Sequence, residues 1–377
     1  MNSLDIISYL FCLSYISLVL LLLSGWLSVK KADKKVAGLY PDFSVIVPFR
    51  NEIANLPVIF ESLMQQNYPK EHFEVIFIDD SSEDDGHNYL INRIKESDAI
   101  RFKVLSLKDT ALTGKKNALT KAIESAENEW IVTTDADCSL LAGWLSTIAT
   151  YITDNQKLVM ISGPVSYSDE NSLFQKLQSL EFSALNGIGA SMTRLGFPYL
   201  TNGANLIFRK SAFDQVGGYS GSESKTSGDD VFLTQKIARN FPGQISFLKN
   251  EEAMVITKPA TNFKDFYHQR IRWTGKTFHT GIKGLALPFF VWLFHLTTLS
   301  FLVMSVFDIS YLKFFFILII SKILAEAVFL FPVLKFYGKL RFILLLPVTG
   351  FLYIFYVSIL PFLSYRKSFI WKGRKVK

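Results

Sequence analysis

The chain has 377 residues, 49% of them hydrophobic, with 34 Phe, two Cys and a formal net charge of +7. That length allows one large domain plus further parts. The composition excludes a disulfide framework and a structural zinc pattern, and its basic residues gather at the edges of apolar stretches rather than over one soluble face, which argues against nucleic acid.

Ile6 to Ser28 is a 23-residue stretch without charge, long enough to cross a bilayer as a helix. Met1 to Asp5 carries no Lys or Arg, unlike the front of a cleavable signal peptide. Lys30-Lys31 and Lys34-Lys35 follow, with Trp26 as an interfacial anchor. The positive-inside rule then predicts an outside N-terminus and a cytoplasmic segment from residue 30 onward.

Residues 41–281 form a mixed-charge soluble segment. Strands are expected at Phe43 to Val47 (stopped by Pro48), Phe73 to Ile78, Phe102 to Leu107 and Trp130 to Thr134; helices at Asn55 to Gln66, Asp84 to Lys95 and Lys115 to Glu127. Alternating strands and helices predict an α/β domain built on a parallel sheet. Ligands in such folds sit beyond the carboxyl ends of the strands. Pro48-Phe49-Arg50-Asn51-Glu52, Asp79-Asp80-Ser81-Ser82 and Asp135-Ala136-Asp137 stand at three of those ends.

Asp135 and Asp137 are two apart, so in an extended segment they point the same way. Paired carboxylates suit a hard divalent cation shared with phosphates; a turn that favours Asp is the alternative. Asp79 reads either as part of a helix-capping turn or as an acceptor for a base or ribose. Gly114-Lys115-Lys116 opens a helix, as a solvated basic face or an anion site. Ser227-Gly228-Asp229-Asp230 reads as a helix start with acids favoured by the dipole. Gln269, Arg272 and Trp273 share one helix face, toward a ligand or toward the nearby membrane. The five His show no ligand spacing.

Leu285 to Phe307 and Phe342 to Ser364 are further uncharged stretches, and Phe314 to Leu334 is another, interrupted by Lys322 and Glu326. Two to three C-terminal spans are therefore expected. Lys322 and Glu326 are i, i+4 partners, either a functional pair at membrane depth or an ion pair that packs the spans. Three crossings would leave the basic tail after Tyr365 outside, yet both that tail and Lys335 to Arg341 prefer the cytoplasm. Pro347, Gly350 and Pro361 would let the last stretch re-enter instead of crossing. The expected organisation is a span at 1–29, a cytoplasmic domain at 41–281, spans within 285–364 and a basic tail at 365–377.

Taken in order, these pieces resemble the membrane-bound processive-type glycosyltransferases of glycosyltransferase family 2. The carriers are Val45-Ile46-Val47-Pro48 with Asn51-Glu52, Asp79-Asp80, Gly114-Lys115 with Ala118-Leu119, Asp135-Ala136-Asp137, Asn202-Gly203-Ala204-Asn205, Gly228-Asp229-Asp230, and Gln269 with Arg272-Trp273. The resemblance implies an A-type nucleotide-sugar fold (a Rossmann-like mixed sheet) and an inverting transfer from a nucleotide-diphosphate-sugar, most often a UDP-sugar. It implies donor contacts from Pro48, Arg50, Glu52, Asp79, Lys115 and Asp135, with Mg²⁺ or Mn²⁺ on Asp135 and Asp137. Asp230 would be the general base, and Asp229, Gln269, Arg272 and Trp273 would line the acceptor and diphosphate side. Arg50 stands where many relatives carry an aromatic residue, and Asp229 where Glu is usual. The implied protein is an integral enzyme of a plasma or inner membrane that acts on a lipid or lipid-linked acceptor in the cell envelope. Alternatives are a polysaccharide synthase that exports its product and a non-catalytic scaffold.

Overall fold

The computed structural model describes residues 3–31, 40–96, 100–108, 110, 113–221, 228–277, 281–364, 369–371 and 374–376. Lys34, Lys35, Ser227, and Arg366, Lys367, Lys372 and Lys377 of the tail lie outside the described residues.

Among the described residues are twelve strands: β1 Phe43–Phe49, β2 Phe73–Asp79, β3 Arg101–Ser106, β4 Trp130–Thr133, β5 Ser139–Leu140, β6 Met160–Ser162, β7 Val165–Tyr167, β8 Leu206–Arg209, β9 Ile245–Phe247, β10 Val255–Thr257, β11 Phe369–Trp371 and β12 Arg374–Val376. The helices of the soluble part are α2 Leu56–Met64, α3 Gly86–Lys95, α4 Lys115–Ser125, α5 Trp144–Asp154, α6 Leu173–Arg194, α7 Lys210–Gln215, α8 Asp229–Asn240 and α9 Phe263–Thr277. The described residues also hold four long apolar helices: α1 Ser3–Ser28, α10 Gly281–Met304, α11 Leu312–Phe336 and α12 Leu346–Ser364, the last led in by a 3₁₀ segment at Leu340–Leu345.

The main sheet runs β3-β2-β1-β4-β8-β6-β9. The first four strands are parallel, as expected; β8 is antiparallel to both β4 and β6, so the sheet is mixed. Every residue of β1, β2 and β4 is buried, which is why those strands read as continuous apolar runs. Pro48 does not stop β1 as expected. The β1–β4 ladder ends at Ile46 opposite Thr133, so at Pro48 only the β2 side is still paired and the missing N–H is tolerated.

All four apolar helices are long enough to cross a membrane. Helices α1 and α11 dock on the soluble domain through α6, and α10 and α12 meet it at α9. Gly187 on α6 lets α11 close in, since a Cβ there would stand 2.9 Å from Val333 Cγ1. Cations cover the carbonyl end of α1: Lys249 Nζ donates to Trp26 O at 2.9 Å and Arg194 Nε to Ser28 O at 3.1 Å. At the opposite end of the bundle, Asp5 of α1 pairs with Lys313 of α11 at 3.0 Å.

The last apolar stretch has both ends beside the soluble domain. Before it, Lys339 Nζ donates to Tyr167 O at 2.6 Å and pairs with Glu170. Tyr356 then donates to Glu181 of α6 at 3.4 Å and stacks near Phe266 of α9. After α12, β11 packs against α9. Between these points Gly350 touches Ile323 within α11.

Candidate active site

The carboxyl ends of β1, β2 and β4 meet over a cleft of about 110 Å³ walled by Pro48, Arg50, Asp80, Lys115, Asp135, Asp137 and Arg272. Parallel register is the cause, because Phe49 is paired with Asp79 and Ile46 with Thr133. Chain positions 49, 79 and 134 are thereby brought to one edge. Lys115, the first residue of α4, forms an ion pair with Asp135. Burial works to lower the pKa of this lysine, but Asp135, then Asp229 and Asp230, outweigh it and the net shift is upward.

Asp137 reaches open space in the cleft, while the surrounding walls limit its hydration and Asp135 stands beside it. Desolvation first, and the Asp135 charge second, raise its carboxyl pKa. Two acids held this close are in a state that a divalent cation would relieve, and hard oxygen donors suit Mg²⁺ or Mn²⁺. Among the described residues no group of three or more His, Cys, Asp or Glu gathers to hold a metal. The pair therefore fits a cation that draws its other ligands from phosphate and water.

Asp230 sits in the first turn of α8. Gly228 precedes it with φ 99°, a left-handed conformation that favours glycine. The backbone N–H of Gly203 donates to Asp230 Oδ2 at 3.2 Å, and that of Val231 to Oδ1 at 2.9 Å. The Asn202–Asn205 loop thus aims this carboxylate. Asp229 instead pairs with Lys116 at 3.7 Å.

Gln269, Arg272 and Trp273 all face a second, larger cavity of about 1110 Å³. Pro48, Lys115, Asp135, Asp137 and Arg272 border both spaces. The large cavity passes Asp229 and Asp230 and continues between the apolar helices, where Leu18, Leu22, Leu285 and Phe329 line it.

Three residues expected on the donor side make other contacts in the structure. Glu52 borders neither space; it accepts from Asn55 Nδ2 at 2.6 Å, and its carbonyl takes the first N–H groups of α2. It serves as a helix-start residue because it lies three positions past the strand end. Arg50 does border the cleft, but its guanidinium is committed to the loop after β2, donating to Asp80 O at 2.8 Å, to Ser81 O, and to Glu83 at 2.7 Å. It buttresses that loop instead of offering an open face for a base. Asp79 also borders neither space, and its Oδ1 accepts from Ser82 N–H at 2.8 Å.

The sequence reading passed over Arg270 and Glu181. Arg270 is 2% exposed, pairs with Glu181, and donates to Gln269 Oε1 at 2.5 Å. Its guanidinium lies 4.3 Å from the Trp273 ring and 4.5 Å from that of Phe266. Burial opposes the charge of Arg270, and Glu181, then Tyr167 and Tyr356, overcome that and raise its pKa. The signal available was the second cation between Gln269 and Arg272; its acidic partner, 89 residues earlier, carries no motif.

Residues 44–217 match the family described as Glycosyl transferase family 2. The Beta-monoglucosyldiacylglycerol synthase of Nostoc sp. is 28% identical over 206 residues, 54% of this chain and 43% of that protein, so the match covers less than half of that relative. The Poly-beta-1,6-N-acetyl-D-glucosamine synthase of Staphylococcus epidermidis is 25% identical over 311 residues, 77% of this chain and 71% of the relative. The mannosyltransferase PcManGT of Pyrobaculum calidifontis, solved with GDP-Man and Mn²⁺, superposes with a TM-score of 0.58 at 15% identity, over 93% of this chain and 97% of its own. The superposition shows a shared glycosyltransferase fold, and the family match is confined to residues 44–217.

Proposed function

We propose that this glycosyltransferase moves one sugar, with inversion, from a nucleotide-diphosphate-sugar to a lipid acceptor held between its apolar helices. One observation carries the reading: a single cavity joins Asp135, Asp137 and Asp230 to the apolar side chains of the spans. A lipid lying there has its hydroxyl at the polar end and its chains among Leu18, Leu22 and Phe329.

In this reading the diphosphate of the donor lies at the small cleft and the rest of the donor extends beyond it. Asp135 and Asp137 would hold Mg²⁺ or Mn²⁺, which when bound offsets charge developing on the leaving diphosphate. Lys115 and Arg272 border the same space and add positive charge beside the diphosphate. Asp230, oriented by the Gly203 and Val231 N–H groups, accepts the proton of the acceptor hydroxyl as its oxygen attacks the anomeric carbon from the face opposite the diphosphate. Arg270 fixes Gln269 and Trp273 in the cavity wall. The Mn²⁺ and GDP-Man named for PcManGT support a metal-dependent nucleotide-sugar donor. UDP-sugars are the first donors to test.

The soluble domain lies in the cytoplasm in this reading. Three helices cross, α12 re-enters, and the tail returns inside, which reconciles the basic residues on both sides of the last apolar stretch with the positive-inside rule. The alternative, a polymer synthase, draws support from the relative matched over 77% of this chain. Purified full-length protein with labelled UDP- and GDP-sugars, Mn²⁺ and lipid acceptors distinguishes them: one lipid-soluble product of fixed size supports the proposal, and a ladder favours the synthase.

A further inference from the structure

The membrane end of the cavity is mostly apolar but carries a cluster of polar side chains. Tyr15 of α1, His295 of α10, and Lys322 and Glu326 of α11 all border it. Lys322 pairs with Glu326 at 2.8 Å, and the Tyr15 hydroxyl donates to the other carboxylate oxygen at 2.6 Å. Lys322 and His295 are each 2% exposed, whereas the Glu326 side chain is 24% exposed. Glu326 is therefore the member of the cluster that faces open space. His295 donates from Nδ1 to Val291 O at 2.7 Å, and its Nε2 is buried without a hydrogen-bond partner among the described residues.

Span packing is a weak explanation for this arrangement. The ion pair itself joins two residues of one helix, and the Tyr15 hydroxyl alone links it to α1. A buried pair gives little net stability over apolar residues of the same size, and ionisable groups at membrane depth mark functional sites by default. The cluster lies near the middle of α11 and close to α6. Glu326 precedes Phe329 by three residues, roughly 4.5 Å along the helix, and Phe329 packs on Gly187 of α6.

We infer that Glu326, held by Tyr15 and Lys322, is an acceptor-binding residue that takes a hydrogen bond from an O–H or N–H group on the membrane-embedded part of a neutral lipid. The inference rests on the lipid-acceptor reading above and narrows its substrate class. An ionised carboxylate only accepts hydrogen bonds. Ester carbonyls and ethers have nothing to give it, and a lipid phosphate brings like charge. The matching lipid carries a second donor beyond its reacting hydroxyl.

The test uses full-length protein in phosphatidylcholine nanodiscs with Mn²⁺ and the donor sugar found active. Ceramide, which has an amide N–H and a second hydroxyl, is compared with 1,2-diacylglycerol, which has two chains but no second donor, and with undecaprenyl phosphate. A hydrogen bond to a charged group predicts a kcat/KM about 10–100-fold higher for ceramide than for diacylglycerol. The double variant Lys322→Met/Glu326→Leu removes the polar pair without stranding a charge, and its ratio should fall to near one. UDP or GDP binding by that variant reports that it is folded. Equal use of the lipids by the unaltered protein, preference for undecaprenyl phosphate, or a ratio that survives in the double variant overturns the inference while leaving lipid transfer standing. Transfer to soluble oligosaccharide with none to any lipid overturns the lipid-acceptor reading itself.

Discussion

Replacing Arg270 with Met should unseat the helix that carries Gln269, Arg272 and Trp273. Arg270 Nε donates to Glu181 Oε2 at 2.9 Å and Nη2 reaches the same oxygen. Without the guanidinium, Glu181 keeps a Tyr356 hydroxyl contact at 3.4 Å, too long to compensate a mostly buried carboxylate. Breaking a buried pair from one side costs about 3–5 kcal/mol. The two cation–π contacts, at about 0.5–2 kcal/mol each, overlap with that figure more than they add to it. A loss of this size is a large fraction of ordinary protein stability. Thermal unfolding in detergent, followed by tryptophan fluorescence, should show a lower midpoint in Arg270→Met, with transfer reduced even below that midpoint. Glu181→Leu/Arg270→Met should recover much of the stability, because no unpaired charge remains. If the double variant is as unstable as the sum of the single ones, the pair is not the clamp described here.

Asp137→Ala should raise the Mn²⁺ concentration for half-maximal transfer at least about 10–100-fold, the range seen even for outer-shell changes at metal sites; an unchanged requirement removes Asp137 from the coordination shell. The raised pKa of Asp137 means that it takes up its proton at a higher pH than an ordinary carboxylate, and the protonated form cannot ligate. Half-saturating Mn²⁺ should therefore climb as pH falls, beginning at a higher pH than an ordinary aspartate would give, and a flat dependence would count against the pairing of Asp135 with Asp137. In a Cys12→Ser/Cys138→Ala background, Ser364→Cys should react with a membrane-impermeant thiol reagent from the soluble-domain side and Ser310→Cys from the other. Labelling of both from the same side would rule out a re-entrant α12.

The sequence made some parts of this molecule plain and hid others for physical reasons. Strands β1, β2 and β4 are buried on both faces, so composition alone marks them. Their polar ends expose Asp79 and Asp135 as edge residues. The region from Ser139 to Gly228 was nearly silent, because β5 to β7 have only two or three residues, too few for a period to emerge. Helix α6 spends its buried residues against both the soluble domain and the apolar helices, so its single motif is the Ser172–Gln175 capping box. Roles set by distant partners were out of reach. Glu52 and Arg50 sit in a motif that points to the donor, and only their contacts with Asn55 and with the loop at Asp80 to Glu83 reveal helix and loop support. The last apolar stretch has the length of a span, and the contacts of Lys339 and Tyr356 with the soluble domain, on which the proposed re-entry rests, carry no sequence signal.

The central claim is that Asp230 activates a lipid hydroxyl at the mouth of the membrane cavity. It is tested most directly by comparing Asp230→Asn with the unaltered protein for both donor binding and single-turnover sugar transfer to lipid in nanodiscs. General-base assistance contributes about 10²–10⁴ in rate, so transfer should fall by that factor while affinity for the nucleotide-sugar and Mn²⁺ stays within about twofold. Transfer that persists in Asp230→Asn, or nucleotide affinity that falls as far as transfer does, would contradict the assignment.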